Sequence, residues 1–182
     1  MKNIFAVVLI LTSLLINPGL LLAQESNNTN TATSSADIDS YALFWPLVPG
    51  KTMGDSMYSL KLFKEWIGDF FSFGDVKKAE YYTIISEKRA LEIQKLYLEN
   101  KDYLNGKKTL EQNTIYQKKA FDLIKKAEKD QQKVDSAKGR FATSLENQQK
   151  LFKLVQSKIP DDEKGEFNKA MENIKLYVTL LP

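Results

Sequence analysis

Between Asp75 and Leu104 the chain runs without a single proline or glycine, and this stretch constrains the fold more than any other. Ala79, Tyr82, Ser86, Arg89, Ile93 and Leu96 or Tyr97 recur at helical spacing, and Tyr81, Ile84, Ile85, Lys88, Leu91 and Leu98 form a second stripe beside them. One apolar stripe is what a surface helix needs; two predict a helix contacted from both sides, at the centre of a bundle. At 1.5 Å per residue such a helix is about 45 Å long. Asn105-Gly106 reads as a tight turn. The segment from about 109 to 137 then carries Leu110, Tyr116, Ala120, Leu123, Ile124, Ala127, Gln131 and Val134 at the same period. Two long helices joined by a short connection predict an antiparallel hairpin.

The flanking segments extend the pattern. Gly54-Asp55 reads as a turn with Asp55 capping a short helix over about 56–72, rich in aromatic side chains. Gly74-Asp75 ends that helix and starts the long one. Lys138-Gly139-Arg140 marks a break, after which Phe141, Leu145, Gln148, Phe152, Val155 and Ile159 follow the helical template as far as Pro160. Asp161-Asp162-Glu163 suits the positive end of a last helix carrying Phe167, Ala170, Met171, Ile174, Val178 and Leu181. No segment alternates with period two, so no strand is expected. The predicted fold is all-α over residues 41–182. It is an elongated helical bundle with a short aromatic helix, a long antiparallel hairpin and two shorter C-terminal helices.

The first forty residues differ in kind. Lys2 precedes a charge-free apolar run from Ile4 to Ile16, Asn17-Pro18-Gly19 interrupts it, and Leu20 to Ala23 completes it. That order is the one found in a secretory signal peptide, predicted over 1–23, with an uncleaved anchor as the alternative. Residues 24–40, mostly Ser, Thr, Asn and Ala, read as a flexible polar linker. The expected location is therefore extracytoplasmic: secreted, periplasmic or membrane-tethered.

Composition removes several function classes. The chain has 182 residues, a formal net charge of +3, and neither Cys nor His. Thiolate zinc sites, cysteine nucleophiles, disulfides, histidine metal ligands and Ser-His-Asp triads are all excluded. The near-balanced charge predicts no nucleic-acid partner. No cofactor, metal or catalytic residue is expected, and membrane contact is expected only through an uncleaved N-terminal segment.

Three groups remain as candidates. The carboxylates Asp161, Asp162, Glu163 and Glu166 are what a glycan hydrolase would need, but acids in a first helical turn also complement the helix dipole. Lys118, Lys125, Lys129 and Lys133 lie near one face of the predicted 109–137 helix, where they could rest on an anionic envelope polymer or lipid, or form a solvated face interleaved with Asp122, Glu128 and Asp130. The aromatic group Tyr41, Phe44, Trp45, Phe63, Trp66, Phe70, Phe71 and Phe73 is expected to be mostly core, with the strap residues Tyr41, Phe44 and Trp45 as the exposed exceptions. Tyr41, Phe44 and Trp45, with the four lysines, form the candidate interaction surface.

Gly54-Asp55-Ser56-Met57-Tyr58-Ser59-Leu60-Lys61, then Trp66, Phe70-Phe71-Ser72-Phe73 and Lys77-Lys78-Ala79-Glu80, resemble the opening of the bacterial domain-of-unknown-function 5667 family. That opening is a Gly/Pro-Asp-x-x-Tyr-Pro-x-Lys turn, a short aromatic helix and a helix with an Ala-Glu-x-Arg pattern, to which Ser86 to Ile93 is similar. Gln148 to Pro160 and Glu163 to Ile174 resemble its closing helices. Ser59 stands where the family usually has Pro, and Gln148 where it often has His. The resemblance implies a secreted or membrane-tethered helical domain of bacteria with no assigned activity. The expected function is a noncatalytic interaction or scaffold module of a cell envelope, in a sensory or envelope assembly. The alternatives are a carboxylate-dependent glycan hydrolase and a periplasmic-type chaperone.

Overall fold

A computed structural model describes residues 40–181. The predicted signal segment and nearly all of the predicted linker lie outside the described residues. Among those described there is no strand. The chain forms α1 (Ser40–Leu43), α2 (Tyr58–Phe70), α3 (Asp75–Gln94), α4 (Tyr103–Lys129), α5 (Asp135–Ser157) and α6 (Gly165–Leu180). One π-helical stretch, Lys95–Asn100, prolongs α3, and a single 3₁₀ turn, Asp161–Glu163, precedes α6.

The all-α bundle follows from α3. No residue from Lys78 to Leu98 is exposed, because α4 and α5 cover it on different sides and α2 adds a further layer. Ala79, Ser86, Arg89 and Ile93 of the first stripe and Ile85 and Leu91 of the second are all buried. Within the π-helical stretch Leu96 and Tyr97 are both buried, continuing the inward surface of α3. Gly106 lets α4 approach at that level, since a Cβ there would lie 2.4 Å from the Tyr97 ring.

The hairpin is present, but its turn is displaced. Asn105-Gly106 lies inside the first turn of α4, and Lys101 makes the reversal in the left-handed region with φ 54°. Asp102 is the cap, accepting from the Asn105 backbone N–H at 3.1 Å. The second break is displaced in the same way. α4 stops at Lys129, and Gln131 takes φ 57°. The Gln131 and Gln132 N–H groups bond back to Glu128 and Ala127, closing the helix with the paired bonds of a Schellman motif. The predicted break at Lys138-Gly139-Arg140 is absent: α5 runs through Gly139, whose Cβ position faces open space. With 23 and 16 residues, α5 and α6 are the two C-terminal helices, both shorter than the 27-residue α4. Asp55, predicted to cap α2, instead holds the preceding turn, accepting from the Thr52 N–H at 2.6 Å.

A polar layer crosses the centre of the core. Asn113 Nδ2 donates to the Ser86 carbonyl at 2.7 Å and to Gln148 Oε1 at 2.6 Å. Gln117 Nε2 donates to the same Gln148 oxygen, and Gln148 Nε2 donates to Ser86 Oγ and Ser144 Oγ. This set joins α3, α4 and α5 at a fixed register, because any slip would strand buried amides without partners.

Candidate functional site: an inside-out aromatic helix

The thirteen residues of α2 alternate polar and apolar at helical period, as an amphipathic helix requires, yet none of them is buried. Its inward side is formed by Tyr58, Lys61, Glu65, Gly68 and Asp69, all half-buried. Its outward side carries Leu60, Leu62, Phe63, Trp66 and Phe70, all exposed, and Phe71 and Phe73 follow in the same state. The polar face is turned to the protein and the apolar face to solvent.

The reason lies on α3. Arg89 is fully buried, with 0% of its surface exposed, and Glu92 is buried one turn further on. A buried charge needs a partner, and α2 supplies two. Arg89 Nη1 donates to Glu92 Oε1 at 2.8 Å and to Glu65 Oε1 at 3.1 Å, while Nη2 binds Glu65 Oε2. Lys61 binds Glu92 from the other side and reaches the Lys51 carbonyl at 2.9 Å. Gln112 of α4 accepts from Arg89 Nε at 3.1 Å and from the Tyr58 hydroxyl at 3.3 Å. The Arg89 guanidinium also lies over the Tyr116 ring, 5.7 Å from its centroid.

Two cations and two carboxylates thus balance across the α2–α3 contact. Burial pushes the Glu92 carboxyl up, against the pull of Arg89 and Lys61, and pushes the Lys61 ammonium down. Burial also acts to lower Arg89, but hydrogen bonding to Glu65 and the charge of Glu92 outweigh it and raise its pKa. The Tyr58 and Tyr81 hydroxyls are pushed up to about 12 by burial. Tyr81 donates to the Glu65 carbonyl at 2.5 Å and passes so close to Gly68 that a Cβ there would lie 2.6 Å from its hydroxyl oxygen.

Outside, Phe63, Trp66 and Phe70 form a stacked row with centroids 5.9 and 6.1 Å apart, and Phe71 meets Phe70 edge-on at 5.4 Å. An open groove of about 650 Å³ lies between α2 and the strap of residues 46–51, on the flank of α2 that carries Leu60, Lys61 and Lys64. Leu47, Val48, Met57 and Leu60 line it with apolar surface, and Lys51, Lys64 and Lys88 stand around it.

The aromatic expectation is therefore reversed. Phe44, expected to be exposed, is buried against the core, because Asn147 of α5 pins the strap by donating to the Leu43 carbonyl at 2.8 Å. Trp45, the next residue, is 83% exposed, as expected. The side chain of Tyr41 lies outside the described residues. Phe63, Trp66, Phe70, Phe71 and Phe73, expected in the core, are 54 to 68% exposed.

The basic stripe is shorter than expected. Lys118 pairs with Asp122 at 2.6 Å and Lys125 with Glu128 at 2.8 Å. Lys129 is the last residue of α4, and Lys133 lies beyond the Gln131 reversal, off the helix. Three of the four acids, all but Asp162, are likewise paired with lysines. Asp161 pairs with Lys164, Glu163 with Lys107 and Glu166 with Lys169. Among the described residues no group of three or more acidic side chains could hold a metal ion, and no helix is long and apolar enough to cross a membrane.

The signal for the buried charge network was present in the sequence, since Arg89 sits on the apolar stripe of α3. Its partners, 24 positions away for Glu65, could not be matched to it by local spacing. No protein-family model, curated protein or solved structure matches the chain. Gln148, which stands where the domain-of-unknown-function 5667 family often has His, lies in the buried amide layer.

Proposed function

We propose that this chain is a noncatalytic extracytoplasmic interaction or scaffold module of a bacterial cell envelope, and that its contact surface is the outward face of α2. One observation carries the reading: a helix anchored through its charged side presents Leu60, Leu62, Phe63, Trp66 and Phe70 to solvent. Contiguous exposed apolar surface of this kind marks a site of association in a soluble protein. Export rests on the apolar run before Ala23. Nothing in the paired acids around Asp161 favours the hydrolase alternative.

The reading is tested by placing a photo-crosslinking residue at Phe63 in cells and fractionating them. A crosslink to an envelope component, lost when Trp66 and Phe70 are changed to Ser, is expected. A protein that stays in the soluble fraction and crosslinks to nothing contradicts it.

A further inference from the structure

We infer that the outward face of α2 seats on an anionic phospholipid surface, with its aromatic row in the interfacial zone and the groove lysines on headgroups. This rests on the reading of that face as the contact surface and names what covers it.

The side chains suit an interface between hydrocarbon and water. The chain has two tryptophans, and both Trp45 and Trp66 are exposed. Tryptophan and phenylalanine on one face of a helix, with lysine at its edge, are what an interfacial helix uses to lie in the headgroup boundary. Lys64 is that edge residue, exposed beside Phe63.

The charges select the occupant. Lys51, Lys64 and Lys88 border the groove and make no ion pair among the described residues, unlike Lys61, which is held by Glu92, and Lys78, which is held by Asp69. A second copy of this chain, docked by a twofold axis on the same patch, would bring these lysines against their own counterparts. Anionic headgroups accept them instead. The contrast with Lys118 and Lys125 sharpens this, since those lysines already have acidic neighbours.

The upstream chain supplies proximity. The apolar run ends near Ala23, and residues 24–39 that follow it can extend to at most about 55 Å at 3.3–3.6 Å per residue. A run held in a bilayer would keep Ser40, where α1 begins, within that reach of the lipid surface.

The test uses the full chain with Trp45→Phe, so that Trp66 alone reports, mixed with phosphatidylcholine vesicles with and without phosphatidylglycerol. The expected result is a blue shift of Trp66 emission and its quenching by brominated acyl chains, stronger with phosphatidylglycerol and weakened by salt. Lys51→Gln with Lys64→Gln should weaken binding about fivefold per lysine. Phe63→Ser with Phe70→Ser should abolish the Trp66 shift while the far-ultraviolet helical signal persists. Vesicle-bound protein whose Trp66 emission matches that in buffer overturns the inference, because the apolar run alone would then be inserted. A dimer in sedimentation with Trp66 shielded before lipid is added also overturns it, in favour of a second copy. Crosslinking of Phe63 to a protein without any Trp66 quenching overturns the lipid assignment and leaves the interaction-module reading standing. Failure of both assays removes both.

Discussion

Helices α2 and α6 have the same kind of pattern and opposite orientations. In α6, Phe167, Ala170, Ile174 and Tyr177 turn inward, and the Phe167 ring meets Tyr97 at 4.9 Å and Phe152 at 5.7 Å. In α2 the equivalent apolar residues turn outward and Lys61 and Glu65 turn inward. What differs is the surface each helix meets. Around α6 that surface is aromatic; opposite α2 it is Arg89 and Glu92. A helix packs the face that complements its neighbour. Where the neighbour buries charge, the polar face goes in, since Arg89 and Glu92 left unpartnered would each cost several kcal/mol.

The largest expected effects lie at the two anchors. Phe167→Ala should cost about 3–5 kcal/mol by leaving a cavity between Tyr97 and Phe152. Arg89→Ala should cost a similar 3–5 kcal/mol by taking the guanidinium from Glu65 and leaving Glu92 with Lys61 alone where water is excluded. Chemical denaturation of both variants checks the pair; an Arg89 variant as stable as wild type would mean that α2 is not held by this network.

A smaller effect distinguishes buried from exposed carboxylates. Glu128 links Lys125 in α4 to Lys138 in α5 and is lowered from 4.5 to about 2 by those two hydrogen-bonded lysines. Its folded pKa lies below the unfolded one, so its contribution is present above pH 4.5 and is lost as pH falls toward 2. Glu128→Gln should flatten the acid limb of the stability profile slightly, since the pair is open to solvent. Glu92 has the opposite sign, because burial raises it. Its contribution is present at low pH and is lost as pH rises through its raised pKa, so the two carboxylates are separable by the direction of their pH dependence.

The smallest expected effect is the counterpart of Phe167→Ala. Phe70→Ala, on the outward face of α2, should change stability by less than about 0.5 kcal/mol. A loss as large as that of Phe167→Ala would place Phe70 in a core.

These contrasts also mark how far the sequence could be read. The all-α bundle and the central place of α3 were legible because both its stripes answer to local spacing, and Ala79, Ser86, Arg89 and Ile93 are buried where the period put them. The turns were less legible. Asn105-Gly106 and Gly139 looked like breaks, but the chain reverses at Lys101 and Gln131, residue types that give no warning of a left-handed conformation. The candidate surface was least legible. Periodicity separates the two faces of α2 without saying which one faces the protein. That choice is made by Arg89 and Glu92 through contacts distant in sequence, and it exposes Trp66 while Phe44 is buried.

Residue-resolved chemical footprinting in lipid-free buffer tests the orientation of α2 most directly. Hydroxyl radicals should modify Phe63, Trp66, Phe70 and Phe71 readily and spare Phe141, Phe152 and Phe167. In the same sample, acetylation should reach Lys64 quickly and Lys61 slowly. Protection of the α2 aromatics together with a Lys61 as reactive as Lys64 would contradict the account.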